Sequence, residues 1–518
     1  MHDDCDNNTY IYWMKDVPAM HAHTFDEAVT LTAIGKFHYL LLLICGLCFM
    51  TVMVEVMCVS LLLPLMQCDL ESTVSEQGIL ASAGFLGVVL SSHAVGFLAD
   101  TWGRVRTLRY ALTLSFLATI ISAFSVNIWM LIVFRFLNGF FISGCQACVF
   151  SLCGEFHGDR TRARYVTMLT IFLALSFLYM PVVAILILPL RIEAAVWGTT
   201  FSSWRIMLLV NSMLSLLAWA GLMSLPETPK YLLVQGNPEA ALKIMRFMYM
   251  KNTGKPADEY PVKSIKLQSI GASLNDIRGV KDAFKMIWSQ TTSLFARERY
   301  LHTINICIIM FVFYFISHGT FMWFPTMLNE LIARADDDLK VCEVIETIQP
   351  GNEQMSNVCS GELDLFVYYI MMIGGAVFTL IYLIFTFTID LVGKKNLLVC
   401  FMTISTACCV TIHWTSQLVP TFVQFFVIMA VGNCGGIVST ISVEFFPTNI
   451  NAMGMCLIMM FSRLGAVVGS NVIGQIIFNN CNNVFWGFTG VLGAICLLSF
   501  LLPERKKVKK AKLILPTT

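Results

Sequence analysis

Twelve long apolar runs dominate the sequence and limit what the chain can fold into. Each has about the 20 residues, or more, that an α-helix needs to cross a hydrocarbon core about 30 Å thick. They lie at 38–66, 77–99, 107–125, 128–153, 165–189, 204–225, 301–328, 364–389, 396–414, 419–443, 452–478 and 484–502. Only 13% of the residues are charged, against about 25% in soluble domains. Because backbone groups in lipid must be bonded within each segment, we predict an all-α membrane protein with twelve transmembrane helices.

Lys and Arg residues concentrate on one side of these predicted spans. The loops after the second, fourth and eighth spans, the long central loop and the C-terminal tail hold most of them. The loops and helix ends on the opposite side hold only Arg191, Arg205, Arg334 and Lys340. Cytoplasmic loops carry the excess of basic residues in membrane proteins. We therefore predict that both termini are cytoplasmic, in a plasma membrane or an intracellular vesicle membrane.

The spans and the charges divide the chain into five predicted parts. They are a cytoplasmic tail (1–37), an N-terminal six-helix half (38–225), a cytoplasmic linker with short helices (226–300), a C-terminal half (301–502) with an external loop at about 329–363, and a basic cytoplasmic tail (503–518). Within the linker, Asn237–Pro238–Glu239 is typical of a helix start. We expect a helix from Glu239 to Met250.

Three short motifs recur in the same order in the two halves. They are Asp100–Arg104 and Asp390–Lys394, Glu155–Phe156 and Glu444–Phe445, and Leu225–Glu227 and Leu502–Glu504. This recurrence indicates two pseudo-symmetric six-helix halves. Related halves of this kind place a substrate site between them, near the middle of the membrane.

The segment Gly96–Arg106, between the second and third spans, resembles the signature loop of the major facilitator superfamily. Arg135–Gly139 and Pro226–Tyr231 resemble two further motifs of that superfamily. Within it, the chain resembles the synaptic vesicle glycoprotein 2 group, through Gly35–Tyr39, Val54–Val56, Ser203–Arg205 and Glu444–Thr448. The resemblance covers essentially the whole chain and implies the major facilitator fold.

The signature loops are interpreted as gating elements. Their residues are Gly96, Asp100, Gly103 and Arg104 in the first copy and Asp390, Gly393 and Lys394 in the second. An acidic side chain such as Asp100 can stabilise a helix N-terminus, where backbone dipoles favour an anion, and can pair with Arg104. The resemblance implies that this contact closes the cytoplasmic gate. The second copy is weaker, because lysine replaces arginine.

Glu55 is an ionisable residue inside the first span. A charge there costs roughly 3 kcal/mol or more unless it faces a cavity or a partner. One interpretation is that Glu55 binds a proton, a cation or a polar group of the substrate. The other is that it pairs with a buried arginine and only holds helices together. Arg135 in the fourth span is the candidate partner, because the resemblance implies that these two helices are neighbours.

Other candidates for the cavity lie in the seventh, tenth and eleventh spans. They are Tyr314, His318, Gln424, Asn433 and Arg463. Aromatic and amide side chains suit a polar organic solute, through stacking and hydrogen bonds. Arg463 has no obvious acidic partner in the sequence and can either extend to the membrane interface or bind an anionic group.

A disulfide is predicted between Cys342 and Cys359 in the external loop, because that side of the membrane is oxidising. Cys68 and Cys481, in other external loops, remain alternative partners. No cysteine pair has the spacing of a zinc site with nearby histidines, so no metal is predicted.

The leading hypothesis is a secondary transporter that moves a small polar organic solute or ion by alternating access, with or without a coupling proton or cation. The alternative is a non-transporting membrane protein of the same fold with a trafficking or regulatory role. Met53, where the resembled group often has an acid, favours the alternative, whereas Glu55 and Arg135 favour transport. No catalytic residue, enzymatic activity or cofactor is predicted. The expected partners are membrane lipids and the solute but no nucleic acid, and a monomer is expected.

Overall fold

The computed structural model describes residues 23–190, 194–196, 199–265, 292–297, 299–334, 339–346, 365–446 and 451–502. Twelve long helices make up most of this part of the chain. They are α1 Lys36–Asp69, α2 Val74–Trp102, α3 Arg104–Ala123, α4 Ile128–Glu155, α5 Asp159–Ile187, α6 Ser203–Met223, α7 Tyr300–Ala333, α8 Leu365–Val392, α9 Lys394–Thr411, α10 (Leu418–Met429, a 3₁₀ turn at Ala430–Asn433, and Cys434–Phe445), α11 Asn451–Ile476 and α12 Cys481–Ser499. The shorter elements are helices Phe25–Thr30, Pro229–Val234, Pro238–Thr253 and Val341–Glu346, 3₁₀ turns Leu188–Leu190, Ala257–Glu259 and Ile412–Trp414, and strands β1 Ala194–Val196 and β2 Thr199–Phe201.

Each of the twelve predicted runs coincides with one long helix. Eleven of the described helices are long and apolar enough to cross a membrane. The twelfth, α3, is more polar because Arg104, Arg106 and Arg109 lie in its first two turns. The predicted all-α architecture of twelve spans is confirmed, and the exception is small: β1 and β2 form an antiparallel hairpin between α5 and α6.

Local sequence explains where several of these helices begin. Thr73 and Glu76 form a capping box at the start of α2, in which each side chain accepts a hydrogen bond from the other residue's backbone N–H. Gly103 is the single residue between α2 and α3, with a φ of 103°. Gly393 separates α8 from α9 in the same way, with a φ of 91°. These angles favour glycine, so the two signature loops share one backbone geometry.

The packing of the helices follows the predicted two-fold pseudo-symmetry. In the N-terminal half α3 packs against α6, and in the C-terminal half α9 packs against α12. Between the halves, α2 packs against α11, and α8, which is the counterpart of α2 in the C-terminal half, packs against α5. The helices α1 and α7 also pack against each other. The bundle therefore has two ends, of which the one that carries Gly103 and Gly393 is called the signature end here.

A small second core lies at the signature end. The helix Phe25–Thr30 packs there against the linker helices Pro229–Val234 and Pro238–Thr253. Asn237 caps the longer linker helix, since its Oδ1 accepts a hydrogen bond from the N–H of Ala240 at 3.1 Å. The linker helix predicted from the cap pattern is thus confirmed, with one turn more than expected.

The disulfide differs from the prediction. Cys342 is bonded to Cys481, with 5.3 Å between the Cα atoms, so the predicted pairing of Cys342 with Cys359 is wrong. The short helix Val341–Glu346 docks on the first turn of α12, where Glu346 accepts a hydrogen bond from the N–H of Cys481 at 2.9 Å. This docking brings the two sulfur atoms together. Cys359 itself lies outside the described residues.

Candidate solute cavity and gating network

A cavity lies between the two halves. Helices α1, α2 and α5 form one wall, and α7, α8, α10 and α11 form the other. The lining residues are Val52, Met53, Val56, Met57, Phe85, Val88, Leu173, Phe177, Tyr314, Ser317, His318, Phe321, Phe378, Tyr382, Met429, Gly432, Asn433, Met459, Ser462, Arg463 and Ala466. Its place between the halves matches the position expected for a substrate site.

The two walls of this cavity differ in polarity. Among the described lining residues, the N-terminal half contributes only apolar side chains, from α1, α2 and α5. The polar groups of the described lining all come from the C-terminal half: Tyr314, Ser317, His318, Tyr382, Asn433, Ser462 and Arg463. A bound solute would therefore find hydrogen-bonding groups on one side and an apolar surface on the other.

A stack of rings connects the two walls. The imidazole of His318 lies parallel to the ring of Tyr314, with 4.8 Å between the ring centroids. The ring of Phe85, on the opposite wall, meets the same imidazole edge-on at 5.4 Å. Nδ1 of His318 and Nδ2 of Asn433 are buried and have no hydrogen-bond partner among the described residues. Both atoms can therefore bond to a solute.

Among the described residues that line the cavity, Arg463 carries the single formal charge, and none is Asp or Glu. Its Nη1 donates a hydrogen bond to Oγ of Ser92 on α2 at 2.7 Å. The guanidinium thus lies where α11 meets the other half. The guanidinium therefore contributes a positive charge to the described lining of the cavity, and low-dielectric walls strengthen its field.

The structure brings four of the seven predicted cavity residues together. Tyr314, His318, Asn433 and Arg463 line the cavity, but Glu55, Arg135 and Gln424 do not. Gln424 instead donates hydrogen bonds to the hydroxyls of Thr411 and Thr415, each at 3.0 Å. Helical phase explains the position of Glu55. At about 100° per residue, it points away from the face of α1 that carries Val52, Met53, Val56 and Met57.

Sequence reasoning missed the polar lining residues Ser317, Tyr382 and Ser462. A signal was present on α11, where Met459, Ser462, Arg463 and Ala466 follow the i, i+3, i+4, i+7 spacing of one helix face. Starting from Arg463, that spacing identifies the stripe. Tyr382 had no comparable neighbour that would have marked it.

Glu55 and Arg135 form a buried ion pair within the N-terminal half. Nη1 of Arg135 lies 3.3 Å from Oε2 of Glu55, and the two side chains are 2% and 1% exposed respectively. The same oxygen accepts hydrogen bonds from Oγ1 of Thr119 at 2.8 Å and from Nδ2 of Asn138 at 3.2 Å. Ser215 donates to the other oxygen at 3.4 Å. The pair thus connects four helices, α1, α3, α4 and α6.

The first signature loop belongs to a charged network at the signature end. The carboxylate of Glu227 accepts hydrogen bonds from the N–H groups of Arg104 and Val105 at 2.9 and 3.1 Å, so it caps α3. Arg104 pairs with Glu155 at 3.1 Å. Oγ1 of Thr228 also donates a hydrogen bond to the carboxylate of Glu155, at 2.6 Å. Glu227 thus occupies the helix N-terminus at which Asp100 was predicted; the side chains of Asp100 and Asp390 lie outside the described part of the chain.

The two signature loops make equivalent contacts through non-equivalent residues. In the first half, Arg109 donates to the carbonyls of Leu222 and Leu225 at the end of α6, at 2.8 and 3.2 Å. In the second half, Lys395 donates to the carbonyls of Phe500 and Leu502 after α12, at 2.6 and 3.2 Å. Lys394 is the first residue of α9. The second copy therefore ties its helices together despite its altered sequence.

Gly96 lies in α2 near the signature end. A Cβ atom built on it would meet no other atom within 4 Å. By contrast, a Cβ on Gly139 would collide with the carbonyl of Gly84, so small residues are required where α2 crosses α4. Gly96 has space beside it in the conformation described.

Comparison with known proteins agrees with this architecture. Residues 45–333 match the model of the Major Facilitator Superfamily. The chain belongs to this superfamily. Membership and the eleven candidate spans together make it an integral, multi-pass membrane protein.

Two relatives illustrate its place in the superfamily. Human synaptic vesicle glycoprotein 2B is 26% identical over 325 residues, which are 60% of this chain and 48% of that protein. The chain thus spans about half the length of this relative. The niacin transporter NiaP of Acinetobacter baylyi is 24% identical over 483 residues, which are 92% of this chain and 96% of that protein.

Solved structures of superfamily members share the fold. The xylose transporter XylE from E. coli, in a partially occluded inward-open conformation, has a TM-score of 0.64 at 14% identity and covers 90% of this chain and 100% of that chain. The nucleoside transporter NupG has a TM-score of 0.58 at 14% identity, with the same coverage. At this identity the likeness concerns the fold alone.

Proposed function

We propose that this protein is a secondary transporter that moves a small organic solute across a membrane by alternating access. The observation that carries the proposal is the cavity between the two halves, lined by helices of both. A rocking movement of one half against the other would expose such a cavity to each side of the membrane in turn. The cargoes named for NiaP, XylE and NupG are small organic molecules, which supports a cargo of this size.

The described conformation is proposed to be inward-facing. Two close contacts between the halves, among the described residues, lie away from the signature end. Tyr368 on α8 donates a hydrogen bond to the carbonyl of Leu61 on α1 at 3.1 Å, and a Cβ on Gly375 would collide with the carbonyl of Phe177. The basic loops favour a cytoplasmic signature end, so these contacts would close the outer side.

An aromatic barrier supports the same proposal. A second, smaller cavity is lined by apolar residues and shares Phe177, Phe321, Phe378 and Met429 with the central one. Phe177 on α5 meets Phe321 on α7 and Phe378 on α8 at ring distances of 5.5 and 5.6 Å. These side chains would form the outer gate, one layer thick.

Glu55 is proposed as the site of a coupling proton. Every group described around its carboxylate donates a hydrogen bond, and Arg135 places a positive charge 3.3 Å away. These donors stabilise the ionised carboxylate and do not supply the several oxygen ligands that a metal cation needs, so a proton is the coupling ion proposed here. Protonation would remove the attraction to Arg135 and loosen α1 from α4. Since α1 also lines the cavity, a shift of α1 would change the wall that the solute contacts.

The test is uptake by purified protein in liposomes, with labelled organic anions, sugars and nucleosides and an imposed proton gradient. Saturable uptake that the gradient accelerates is expected. In Glu55→Gln protein that is shown to be folded, we expect exchange of solute to continue while gradient-driven accumulation is lost. Accumulation that persists in this variant would contradict the coupling role of Glu55.

The non-transporting alternative remains supported by the similarity to synaptic vesicle glycoprotein 2B. Folded protein that binds no member of the panel and takes none up would favour it over transport. Binding without uptake, under gradients of either direction, would also contradict transport.

A further inference from the structure

We propose that the central cavity selects small organic anions with a flat, apolar body. This inference deepens the proposed function and rests on it for its physiological meaning. The anionic group would lie on the α11 wall at Arg463, and the body would lie against the apolar wall of α1, α2 and α5. The cavity chemistry described above separates this class from neutral polyols and from cations.

The charge of the lining carries the first step. Arg463 brings a positive charge to the cavity, and none of the described lining residues is acidic. A guanidinium binds a carboxylate through charge-assisted hydrogen bonds, often with two of them in parallel. An organic cation would meet the same charge as a repulsion, in surroundings where water does little to screen it. The site therefore distinguishes anions from cations by sign.

The apolar wall carries the second step. Val52, Met53, Val56 and Met57 on α1, together with Phe85 on α2, offer no hydrogen-bonding side chain to a solute. A sugar has hydroxyl groups around its whole ring, and those that face this wall would lose their bonds to water without replacement. A solute with one polar end and an apolar body would place the apolar body against this wall and lose no hydrogen bonds to water there. Neutral polyols are therefore poor ligands for this cavity.

The rings of the lining carry the third step. His318 and Tyr314 lie parallel, and Phe177, Phe321 and Phe378 surround the adjoining part of the cavity. Aromatic groups prefer offset-stacked and edge-on contacts with other flat rings. The amide nitrogen of Asn433, which has no partner among the described residues, is a donor for an oxygen of the solute. A flat aromatic carboxylate satisfies all of these groups at once.

The experiment measures binding to the purified full chain in detergent, with three probes of nearly the same shape and size. Benzoate is the anion, benzamide its neutral counterpart and benzylamine the cation; xylose represents polyols. We expect benzoate to bind at least about tenfold more tightly than benzamide, which is the discrimination a single charge-assisted contact supplies. Benzylamine and xylose should show no saturable binding.

Variants locate the selectivity. Arg463→Gln should weaken benzoate binding by about tenfold or more while changing benzamide binding by less than about twofold. Arg463→Lys should retain the preference for the anion, because it keeps the charge. Lys263→Gln, which removes an exposed cation far from the cavity, is the matched control and should bind benzoate as the parent does.

Each outcome decides the question. Equal binding of benzoate and benzamide by the parent, or saturable binding of xylose or benzylamine, would overturn the proposal without need of any variant. Retention of the benzoate preference in folded Arg463→Gln would overturn the role of Arg463. Benzoate binding without uptake in liposomes would support the cavity assignment and contradict transport. Uptake of a neutral solute without benzoate binding would support transport and contradict the cavity assignment.

Discussion

A charged side chain inside a membrane protein depends on its partners for its free energy. Glu55 and Arg135 are both almost completely buried and lie 3.3 Å apart. A buried pair of this kind contributes little by itself, because desolvation offsets most of the attraction between the charges. Removal of one partner is different, since it leaves an uncompensated charge in a low-dielectric interior.

Arg135→Met is therefore expected to destabilise the protein by about 3–5 kcal/mol. The double variant Arg135→Met with Glu55→Gln should recover part of this loss, because a neutral amide can stay buried with its hydrogen bonds. Thermal unfolding of the purified variants in detergent measures both effects. A double variant no more stable than Arg135→Met alone would contradict the pairing as the source of the stability.

His157 links stability to pH at the signature end. Its ring stacks on Tyr165 at 4.3 Å and meets His38 edge-on at 4.7 Å, while its Nδ1 lies 2.6 Å from the carbonyl oxygen of Cys153. Burial lowers the pKa of His157 from 6.5 to about 4, and the neighbouring His38 and Arg162 add to the lowering. The folded protein thus holds this imidazole neutral at pH values where the unfolded chain protonates it.

We expect stability to fall as the pH drops from about 6.5 to about 4, and to level off below, by up to about 3 kcal/mol. Stability falls as the pH drops because the histidine has the higher pKa in the unfolded chain, so protons bind to the unfolded state first. His157→Gln keeps a donor for the carbonyl but does not titrate, so its melting temperature should fall less over the same pH range. Equal pH dependence in the parent and His157→Gln would show that another group is responsible.

At the residue level, sequence could identify charges but not the direction in which they face. Arg463, Tyr314 and His318 were predicted for the cavity because ionisable and polar groups inside spans are rare. Glu55 met the same criterion, yet its side chain points towards α3, α4 and α6. The interior of a helix bundle has several polar places, and a single sequence does not specify which of them a given helix face meets.

At the level of the helices, α1 and α8 meet where the bundle is closed. The hydroxyl of Tyr368 donates to the carbonyl of Leu61 at 3.1 Å, and Tyr368 is fully buried. A hydrogen bond of this kind contributes about 0.5–1.5 kcal/mol. If the contact exists only in the inward-facing state, it shifts the equilibrium between the two states by that amount.

Tyr368→Phe should therefore raise the population of the outward-facing state by about two- to tenfold. Met371 lines the second, apolar cavity. The measurement is the rate at which a membrane-impermeant maleimide labels a cysteine introduced at this position. Tyr369→Phe is the matched control, because Tyr369 is exposed on the outer surface of the bundle. Labelling that rises equally in both variants would contradict a specific role for Tyr368.

Apolar runs predicted the existence and order of all twelve helices, because the thickness of the bilayer fixes their length. They did not predict the interruption of α10 at Ala430–Asn433. There the hydroxyl of Ser317 bonds to the carbonyl of Met429, and Gly432 packs against the Ser317 side chain. This break depends on contact with α7, which is distant in sequence. It also places Asn433 at the cavity.

At the scale of the whole molecule, the two halves share a fold but differ in what they carry. The N-terminal half holds the buried ion pair and the network of Arg104, Glu155 and Glu227. The C-terminal half holds the disulfide and every polar group among the described residues that line the cavity. The two halves therefore repeat the same helix packing but differ in the polar groups that they carry.

The disulfide provides a prediction at this scale. Cys342 and Cys481 are separated by 139 residues but lie in the same half. Its reduction should lower the free energy of unfolding by about 2–4 kcal/mol and leave the rocking of the halves unaffected. Thermal unfolding with and without a reductant measures this, and Cys342→Ser should abolish the difference. Cys400→Ser, at an exposed free thiol, should respond to the reductant as the parent does.

The same bond tests the proposed orientation. Disulfides persist in oxidising compartments and are rare in the cytosol. Protein extracted from cells with its thiols blocked should therefore contain Cys342 and Cys481 in oxidised form. Free thiols at both positions would contradict an outward or luminal location of this end of the bundle.

The one-sided polarity of the cavity has a kinetic consequence. When the halves rock, a solute bonded only to the C-terminal half keeps its directional contacts and merely slides along the apolar wall. The activation barrier for reorientation then contains little breaking of hydrogen bonds to the solute itself, and different solutes of one shape should cross at similar speeds. Affinity and turnover would be set by separate surfaces, so that selection could change the cargo of such a carrier without slowing its cycle.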